Sequence, residues 1–194
     1  GFARDVARGD WQNMYNRIRC ITGQKEDPFK TYDYITSYMK DKSVRLMFFF
    51  LLADFTKHDI NVTHRSRELR HLIAELSKKF RVGIHPGIAS HSSTEILKME
   101  KRRLEDITGI ECKLSRQHYL KINLPQTYRN LVEAGITDDY SMGYADDTGF
   151  RAGTCRPFLW FDLENDCTTE LTVHSVMVMD ATLNSYLQLS ADEA

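Results

Sequence analysis

The chain has 194 residues, 42% of them hydrophobic and 27% charged, which is the composition of one globular domain with a sizeable core. Lysine and arginine (26) nearly balance aspartate and glutamate (27), so no basic surface is expected to bind nucleic acid or an anionic membrane. The longest apolar run, 46–53, is far shorter than the roughly 20 residues of a membrane-spanning helix. A single-domain protein without a transmembrane segment is therefore predicted.

The four cysteines are scattered and form no CxxC pair: Cys20, Cys112, Cys155 and Cys167. This spacing predicts reduced thiols rather than a zinc cage or a disulfide framework. The compartment stays unknown, with the cytoplasm favoured.

Helix-like and strand-like segments alternate along the chain, which is typical of a parallel sheet with crossover helices. Helices are predicted where apolar residues recur three and four apart, and strands where short apolar runs lie between polar or glycine-containing segments. Helices are predicted over 10–21, from 27–28, over 67–80, from Ser92 or Ser93 to near Gly109, from 123–125 to Gly135, and beginning over 181–187. Strands are predicted over 44–52, 82–84, 111–114, 136–140, 158–163 and 171–179.

His85 follows the predicted strand 82–84 and is succeeded at once by Pro86 and Gly87. This pattern is typical of a buried strand that delivers a side chain into a pocket. His91 lies six residues further on, so both imidazoles would meet one cation if the loop doubles back. Zinc or another borderline divalent metal suits two imidazoles and a carboxylate, and it would activate a bound water. The alternative for His85 is a hydrogen-bonded core histidine, and for His91 a position near a helix start.

Arg116 and His118 follow the next short strand and lie two residues apart, so on an extended chain they point the same way. An arginine at this position would hold a catalytic carboxylate or an oxyanion through its bidentate fork. The alternative is an interstrand salt bridge.

The segment 141–156 is rich in glycine, aspartate and threonine and is predicted to be a long loop that carries function. Arg151 lies among small residues that allow close approach, and it would clamp a substrate. Alternatively, Arg151 pairs with a carboxylate, and the possible partners are Asp139, Asp146 and Asp147. As a further alternative, these three aspartates and Tyr144 belong to a solvated loop.

From about residue 27 to 187 the chain resembles a bacterial branch of the polysaccharide deacetylases. The resemblance implies a distorted (β/α) barrel, usually of seven strands, that hydrolyses N- or O-acetyl groups on sugars with a divalent metal bound by one aspartate and two histidines. It rests on six segments in consistent order: DPFKTYDYI, FFFLL, VGIHP, SRQHYLKINLPQTYRNL, GITDDYSMGYADDTGFRAGTCRPF and VMDATL.

The resemblance also implies roles for individual residues. His85 matches the first histidine of the motif H-[ST]-x-x-H, whereas the second falls at Ala89, so His91 would replace it only through a longer loop. Arg116 of the R-x-P-[FY]-like segment would orient the catalytic aspartate, and His118, in place of the proline, would be an added ligand or a sugar contact. Asp139 lies where the family carries an aspartate. The predicted substrate contacts are Tyr119, Tyr144 and Arg151.

Two family motifs are expected outside the chain. The first-strand aspartate pair, which supplies the general base and one metal ligand, would precede Gly1, and the Leu-x-x-His motif with the general acid would follow Ala194. The chain is therefore expected to be the middle of a deacetylase domain. An incomplete barrel exposes edge strands, so a homo-oligomer or pairing with the missing segments is expected.

The predicted function is that of a metal-dependent hydrolase that removes acetyl groups from a carbohydrate through a metal-activated water. The alternative is a non-catalytic barrel that binds glycan or another partner, since the second family histidine is missing at Ala89. A different (β/α)-barrel hydrolase is a third reading, because a fold does not determine its chemistry.

Overall fold

The chain divides into two compact units, residues 1–46 and 47–194. This computed structural model describes residues 9–26, 30–40, 42 and 44–190. The first unit holds helices α1 (Trp11–Ile21) and α2 (Tyr32–Met39). Asp10 begins α1 by accepting a hydrogen bond from the backbone N–H of Asn13. The predicted helix over 10–21 is confirmed, whereas the predicted start of the second helix at 27–28 lies outside the described residues.

The second unit alternates strands and helices, as the sequence predicts. Short 3₁₀ turns at Ile88–Ser92 and His118–Leu120 follow two of the strands, and a π-helical turn, Thr182–Tyr186, stands where the last helix is predicted. The regular elements are β1 (Met47–Phe50), α3 (Arg67–Ser77), β2 (Arg81–Ile84), α4 (Thr94–Thr108), β3 (Leu114–Ser115), α5 (Gln126–Glu133), β4 (Asp138–Met142), β5 (Phe158–Asp162) and β6 (Cys167–Ser175).

Side-chain caps and glycine set the helix ends. Ser66 and Ser93 begin α3 and α4, each accepting a hydrogen bond from a backbone N–H three residues on. Gly109 ends α4 with φ +70°, a left-handed conformation that costs a residue with a side chain roughly 1 to 2 kcal/mol. In the part of the chain described, no helix has the length and hydrophobicity needed to span a membrane.

Several strands are displaced from, or shorter than, their predicted runs, including the strand predicted over 111–114, found at Leu114–Ser115, and the one over 136–140, found at Asp138–Met142. The run 44–52 forms a strand only over Met47–Phe50, although Leu52 and Ala53 are also buried. The run 171–179 forms β6 over Cys167–Ser175 instead. An apolar run reports burial, whereas a strand also needs a neighbour to which its backbone can bond. Pairing therefore decides the strand ends, and hydrophobicity alone does not.

The six strands form one sheet in the order β1-β2-β3-β4-β6-β5. The first four strands and β6 are parallel, as predicted. β5 is antiparallel to β6, because the short turn between them leaves no room for a crossover. Among the described residues β1 and β5 are the edge strands, so the barrel and the association of exposed edges stay predictions.

The sheet has two chemically different faces. Fully buried residues of adjacent strands lie on one of them, the helix face: Ile84, Ser115, Asp139 and Val173. Tyr128 of α5 packs on this side, edge-on to Trp160 with 5.5 Å between ring centroids. The other face, here called the polar face, carries half-buried residues: Asp138, Tyr140, Thr172 and His174.

Candidate active site

Four polar or aromatic side chains form a row across the polar face. Ile84 lies opposite Ser115, Ser115 opposite Asp139, and Asp139 opposite Val173. The residue after each of these sits at the same height on neighbouring strands, and its side chain points to the other face because side chains alternate along a strand. These four residues are His85, Arg116, Tyr140 and His174, and each contacts the next. The carboxyl ends of the strands thus bring together residues that are far apart in sequence.

His85 presents a free nitrogen lone pair at the head of this row. Its Nδ1 lies 2.5 Å from the carbonyl oxygen of Arg116. A carbonyl only accepts hydrogen bonds, so Nδ1 carries the proton and Nε2 carries the lone pair. Burial lowers the pKa of His85 to about 4 although the bond to Arg116 opposes this shift, so the ring is neutral at pH 7. This is the tautomer and the charge state of a metal ligand.

His118 has the same orientation through a different partner. Its Nδ1 lies 2.9 Å from Oδ1 of Asp59, which is only 1% exposed. Asp59 also accepts hydrogen bonds from the N–H of Ile88 (3.0 Å) and the hydroxyl of Thr56 (3.1 Å). Burial on its own raises the pKa of Asp59, but the hydrogen bonds from His118, Ile88 and Thr56 outweigh it and the net pKa is lowered. The ionised carboxylate therefore accepts from Nδ1–H of His118 and leaves its Nε2 free.

The two imidazoles meet each other and a tyrosine. The ring centroids of His85 and His118 are 4.9 Å apart, with an interplanar angle of 61°. Tyr119 stacks on His118 at 4.2 Å and is 56% exposed. Tyr119 and Leu120 have φ of 59° and 49°, a left-handed conformation that costs roughly 1 to 3 kcal/mol and recurs at functional sites. The strained turn places an exposed aromatic ring directly beside the histidine pair.

The turn at Gly87 and Ile88 follows His85 in the chain. The N–H of Gly87 donates to Oε2 of Glu100 at 2.9 Å, and the next N–H, of Ile88, donates to Asp59. A Cβ at Gly87 would lie 2.5 Å from the Cβ of Ala53, so only glycine fits. Glu100 is 1% exposed, and burial raises its pKa to about 7. Two buried carboxyl groups thus hold consecutive backbone amides next to His85.

The donor set matches the divalent metal that the sequence resemblance implies. Zinc-binding histidines commonly donate their second ring N–H to a carboxylate or a backbone carbonyl, which fixes the ring and its tautomer. Both arrangements occur here, with Asp59 behind His118 and the Arg116 carbonyl behind His85. Within the described ranges, no group of three or more histidine, cysteine, aspartate or glutamate side chains could hold a metal ion. The described residues therefore bring two imidazoles together without a third side chain placed to bind the same metal.

His91 does not contact His85 as the sequence-based pairing requires. It lies in the turn Ile88–Ser92, and no ring contact or hydrogen bond between His85 and His91 is found among the described residues. Its Nδ1 is buried without a hydrogen-bond partner in the same part of the chain. Burial, reinforced by the charge of Lys121, lowers the pKa of His91. The ring beside His85 is that of His118, and the ligand role of His91 stays a prediction.

Arg116 and His118 contact different elements although they are two residues apart. Arg116 donates through Nη1 to the carbonyl of Tyr140 at 3.1 Å, and it forms no ion pair with a described residue. The N–H of Gln117 is held by the hydroxyl of Ser141 at 2.8 Å, after which the chain turns and carries His118 towards Asp59. The extended geometry expected from the spacing ends at this turn.

Asp139 lies on the helix face and is fully buried. It accepts hydrogen bonds from the hydroxyls of Ser115 and Ser141, both at 2.7 Å, and none from Arg116. Burial raises its pKa although the serine hydrogen bonds oppose the shift. This is the setting of a structural carboxyl group, and the catalytic role of Asp139 stays a prediction.

The loop after β4 carries two of the predicted substrate contacts. Tyr144 is 42% exposed, and Arg151 is exposed without an ion pair to a described residue, so its predicted pairing with a nearby aspartate is not seen. The N–H of Gly149 donates to the carbonyl of Met177 at 2.8 Å, and the hydroxyl of Thr182 donates to the carbonyl of Ala145 at 2.9 Å. The loop is therefore tied to the segment after β6. The substrate-binding roles of Tyr144 and Arg151 stay predictions.

Several residues of the site carry weak signals in the sequence. Asp59 lies in a loop without periodicity, and only the tertiary structure brings it to His118. Glu100 lies three residues after Leu97 and four before Leu104, so helical spacing already places it on the buried side of α4. His174 is two residues from Thr172 in a strand, which places it away from the core, and its Nε2 lies 2.9 Å from Asp138.

No protein-family model and no curated protein matches the chain. Two solved structures are similar to it. A Mycobacterium smegmatis protein named as a polysaccharide deacetylase is 13% identical, with a TM-score of 0.49, over 73% of this chain and 43% of that protein. A de-N-acetylase from Aggregatibacter actinomycetemcomitans is 12% identical, with a TM-score of 0.38, over 63% of this chain and 67% of that protein.

The chain therefore spans less than half the length of the first of these proteins. Both matched proteins carry deacetylase names.

Proposed function

We propose that this chain is part of a metal-dependent hydrolase that removes acetyl groups from a carbohydrate, with His85 and His118 as two ligands of a divalent cation. Zinc is the proposed metal, because it is a borderline cation that imidazole nitrogens suit. The observation that carries the proposal is the pair of imidazole rings 4.9 Å apart, each with its Nδ1 bound to an oxygen acceptor.

The protein's own groups would do three things in this reaction. Asp59 holds the ring of His118 through its Nδ1, and the carbonyl of Arg116 holds that of His85 in the same way. A bound divalent metal would polarise the acetyl carbonyl and lower the pKa of a water molecule. The exposed ring of Tyr119, beside His118, offers an apolar surface for a sugar. Tyr144 and Arg151 are proposed as further substrate contacts.

His174 is not proposed as a ligand of this metal. It stands three strands from His85 in the row, and neighbouring strands are about 4.8 Å apart, so the two backbones are separated by roughly 14 Å in this sheet. That separation is too large for a shared cation. The Nε2–H of His174 instead donates a hydrogen bond to Asp138.

The proposal is tested by zinc titration and acetyl release with the complete protein that contains this chain. The variants His85→Ala and His118→Ala are expected to lose zinc binding and activity together. His91→Ala is the matched control, because it removes an imidazole from the same loop that does not contact His85. Zinc affinity unchanged in His118→Ala, or lost only in His91→Ala, would contradict the assignment.

A non-catalytic glycan-binding protein is the second candidate. What favours it is that the described residues contain no group of three or more metal-ligating side chains. This candidate predicts glycan affinity that is unchanged by EDTA, whereas the hydrolase predicts a chelator-sensitive protein. A glycan titration with and without EDTA separates the two.

A further inference from the structure

Two buried acids hold consecutive amides of the turn that follows His85. Oε2 of Glu100 accepts from the N–H of Gly87 at 2.9 Å, and Oδ1 of Asp59 accepts from the N–H of Ile88 at 3.0 Å. Each of the two acids is only 1% exposed. A buried carboxyl group is costly to place in a core, so its hydrogen-bond partner is informative. We call Pro86–Ile88 the glycine turn.

The glycine turn is linked to His118 in two ways, once directly and once through Asp59. The N–H of His118 donates to the carbonyl of Pro86 at 3.3 Å, and its ring Nδ1 bonds to Asp59, the carboxylate that also holds Ile88. A displacement of the turn therefore moves both the backbone and the ring partner of His118. Asp59 cannot hold Ile88 and His118 together unless the turn stays in place.

The surroundings of Gly87 leave little freedom on one side. A Cβ at this position would meet Ala53 at 2.5 Å, Oε1 of Glu100 at 3.2 Å and Cγ of Asp59 at 3.3 Å. The hydroxyl of Ser90 also donates to the carbonyl of Gly87 at 2.7 Å. Packing keeps the turn from moving towards these residues, and hydrogen bonds keep it from moving away. Glu100 supplies the one to the N–H of Gly87, next to the bond that Asp59 makes with Ile88.

We propose that Glu100 is a positioning residue, which sets the ring orientation of His118 by anchoring the glycine turn through the N–H of Gly87. The inference rests on the proposed function only for its metal readout, since the orientation of the ring is measurable without metal. Glu100 reaches the turn from α4 and acts through Asp59, with no role in contacting a substrate.

Two substitutions separate the role of Glu100 as a hydrogen-bond acceptor from the role of its charge. Glu100→Gln keeps an oxygen acceptor for the N–H of Gly87 and removes the carboxylate beside Asp59. Glu100→Met keeps the length of the side chain and removes the acceptor. Glu105→Met is the matched control, because Glu105 lies on the same helix and accepts from a backbone N–H, that of Cys112 at 2.9 Å. That bond lies at the opposite edge of the sheet, before β3.

The experiment measures the imidazole ¹⁵N shifts of His118 by NMR in the metal-free protein, and then zinc affinity. Glu100→Met is expected to lose the single Nδ1–H tautomer of His118 and to bind zinc about 10-fold to 100-fold more weakly, the range typical when an outer-shell partner of a ligand is removed. Glu100→Gln is expected to keep the wild-type shifts and affinity. Glu105→Met is expected to keep both, whatever it does to stability.

Wild-type shifts and zinc affinity in folded Glu100→Met would overturn the proposal and leave Glu100 as core filling. Equal disturbance in the Gln and Met variants would also overturn it, since charge and not the acceptor would then matter. If Glu100→Met does not fold, Glu100→Asp decides: its shorter carboxylate cannot reach Gly87, so disturbed His118 shifts support the proposal and wild-type shifts refute it. Absence of zinc binding in the wild type would refute the proposed function while the NMR readout still decides the role of Glu100.

Discussion

Asp59–His118 and Asp138–His174 are two Asp–His pairs with the same 2.9 Å separation and different surroundings. In the first, Asp59 is 1% exposed and also holds Ile88 and Thr56. In the second, the side chain of Asp138 is 23% exposed and also accepts from the hydroxyl of Thr137 at 2.8 Å. We therefore expect burial and the number of shared hydrogen bonds, rather than the distance within a pair, to set its contribution to the free energy of unfolding.

The largest expected difference between the two pairs is in the free energy of unfolding lost when each carboxylate is removed. Asp59→Ala leaves a backbone N–H, a hydroxyl and an imidazole without their common acceptor in a buried place, so a loss of about 3 to 5 kcal/mol in the free energy of unfolding is expected. Asp138→Ala breaks a half-exposed pair and is expected to cost roughly 1 kcal/mol or less. Urea denaturation measures both. Equal costs would show that the surroundings of the two pairs do not matter.

The pH dependence of stability sharpens the comparison, because Glu100 lies near Asp59 and has no counterpart at Asp138. Burial raises the pKa of Glu100 from 4.5 to about 7, the carboxylates of Asp59 and Asp54 add to the shift, and Gly87 N–H and Arg103 oppose it. A raised folded-state pKa means that the contribution of Glu100 to stability is fully present below pH 4.5 and is lost as the pH rises through 7.

The variant Glu100→Gln removes this titration. Relative to the variant, the wild type is expected to lose about 3 kcal/mol between pH 4.5 and pH 7.5, at roughly 1.4 kcal/mol for each unit of pKa shift. Unfolding free energies of both proteins at these two pH values measure the effect. A constant difference between them across the range would show that Glu100 does not titrate there.

The smallest effect on stability and metal binding is expected at the second pair. His174→Ala removes a half-exposed ring that stacks on Tyr140 at 4.2 Å, so a cost of about 1 kcal/mol is expected. Zinc affinity is expected to change less than about twofold, since the ring stands roughly 14 Å from His85 along the sheet. Loss of zinc binding in this variant would show that the two pairs belong to one metal centre.

The helices were predictable to within a few residues because their signals are local. The choice between Ser92 and Ser93 as the start of α4 is decided for Ser93, whose hydroxyl accepts from Ile96 N–H, and Gly109 ends the helix as expected. The strand ends were less predictable, since Leu52 is buried without being in a strand. Hydrophobicity reports that a residue is inside, but a strand also needs a bonded neighbour.

The candidate site was predictable in part for the same reason. His85 is recognisable because a strand, a glycine and a proline surround it in sequence. His91 is its nearest histidine in the chain, but His118, 33 positions away by residue number, is its neighbour in space. The 3₁₀ turn at His118–Leu120 redirects the chain after Arg116, and no local pattern announces that redirection.

Local patterns are enough to predict the alternation of helices and strands, the histidine directly after β2 and the buried side of α4, because spacing and capping act within a few residues. Three features depend on contacts between segments distant in sequence: the antiparallel pairing of β5 with β6, the contact between His85 and His118, and the hydrogen bonds of the two acids to the glycine turn. Those contacts join β2, the loop after β1, the turn after β3 and helix α4. They form because the parallel sheet gathers the carboxyl ends of its strands at one edge, and a buried carboxylate accepts whichever donors the packing brings to it.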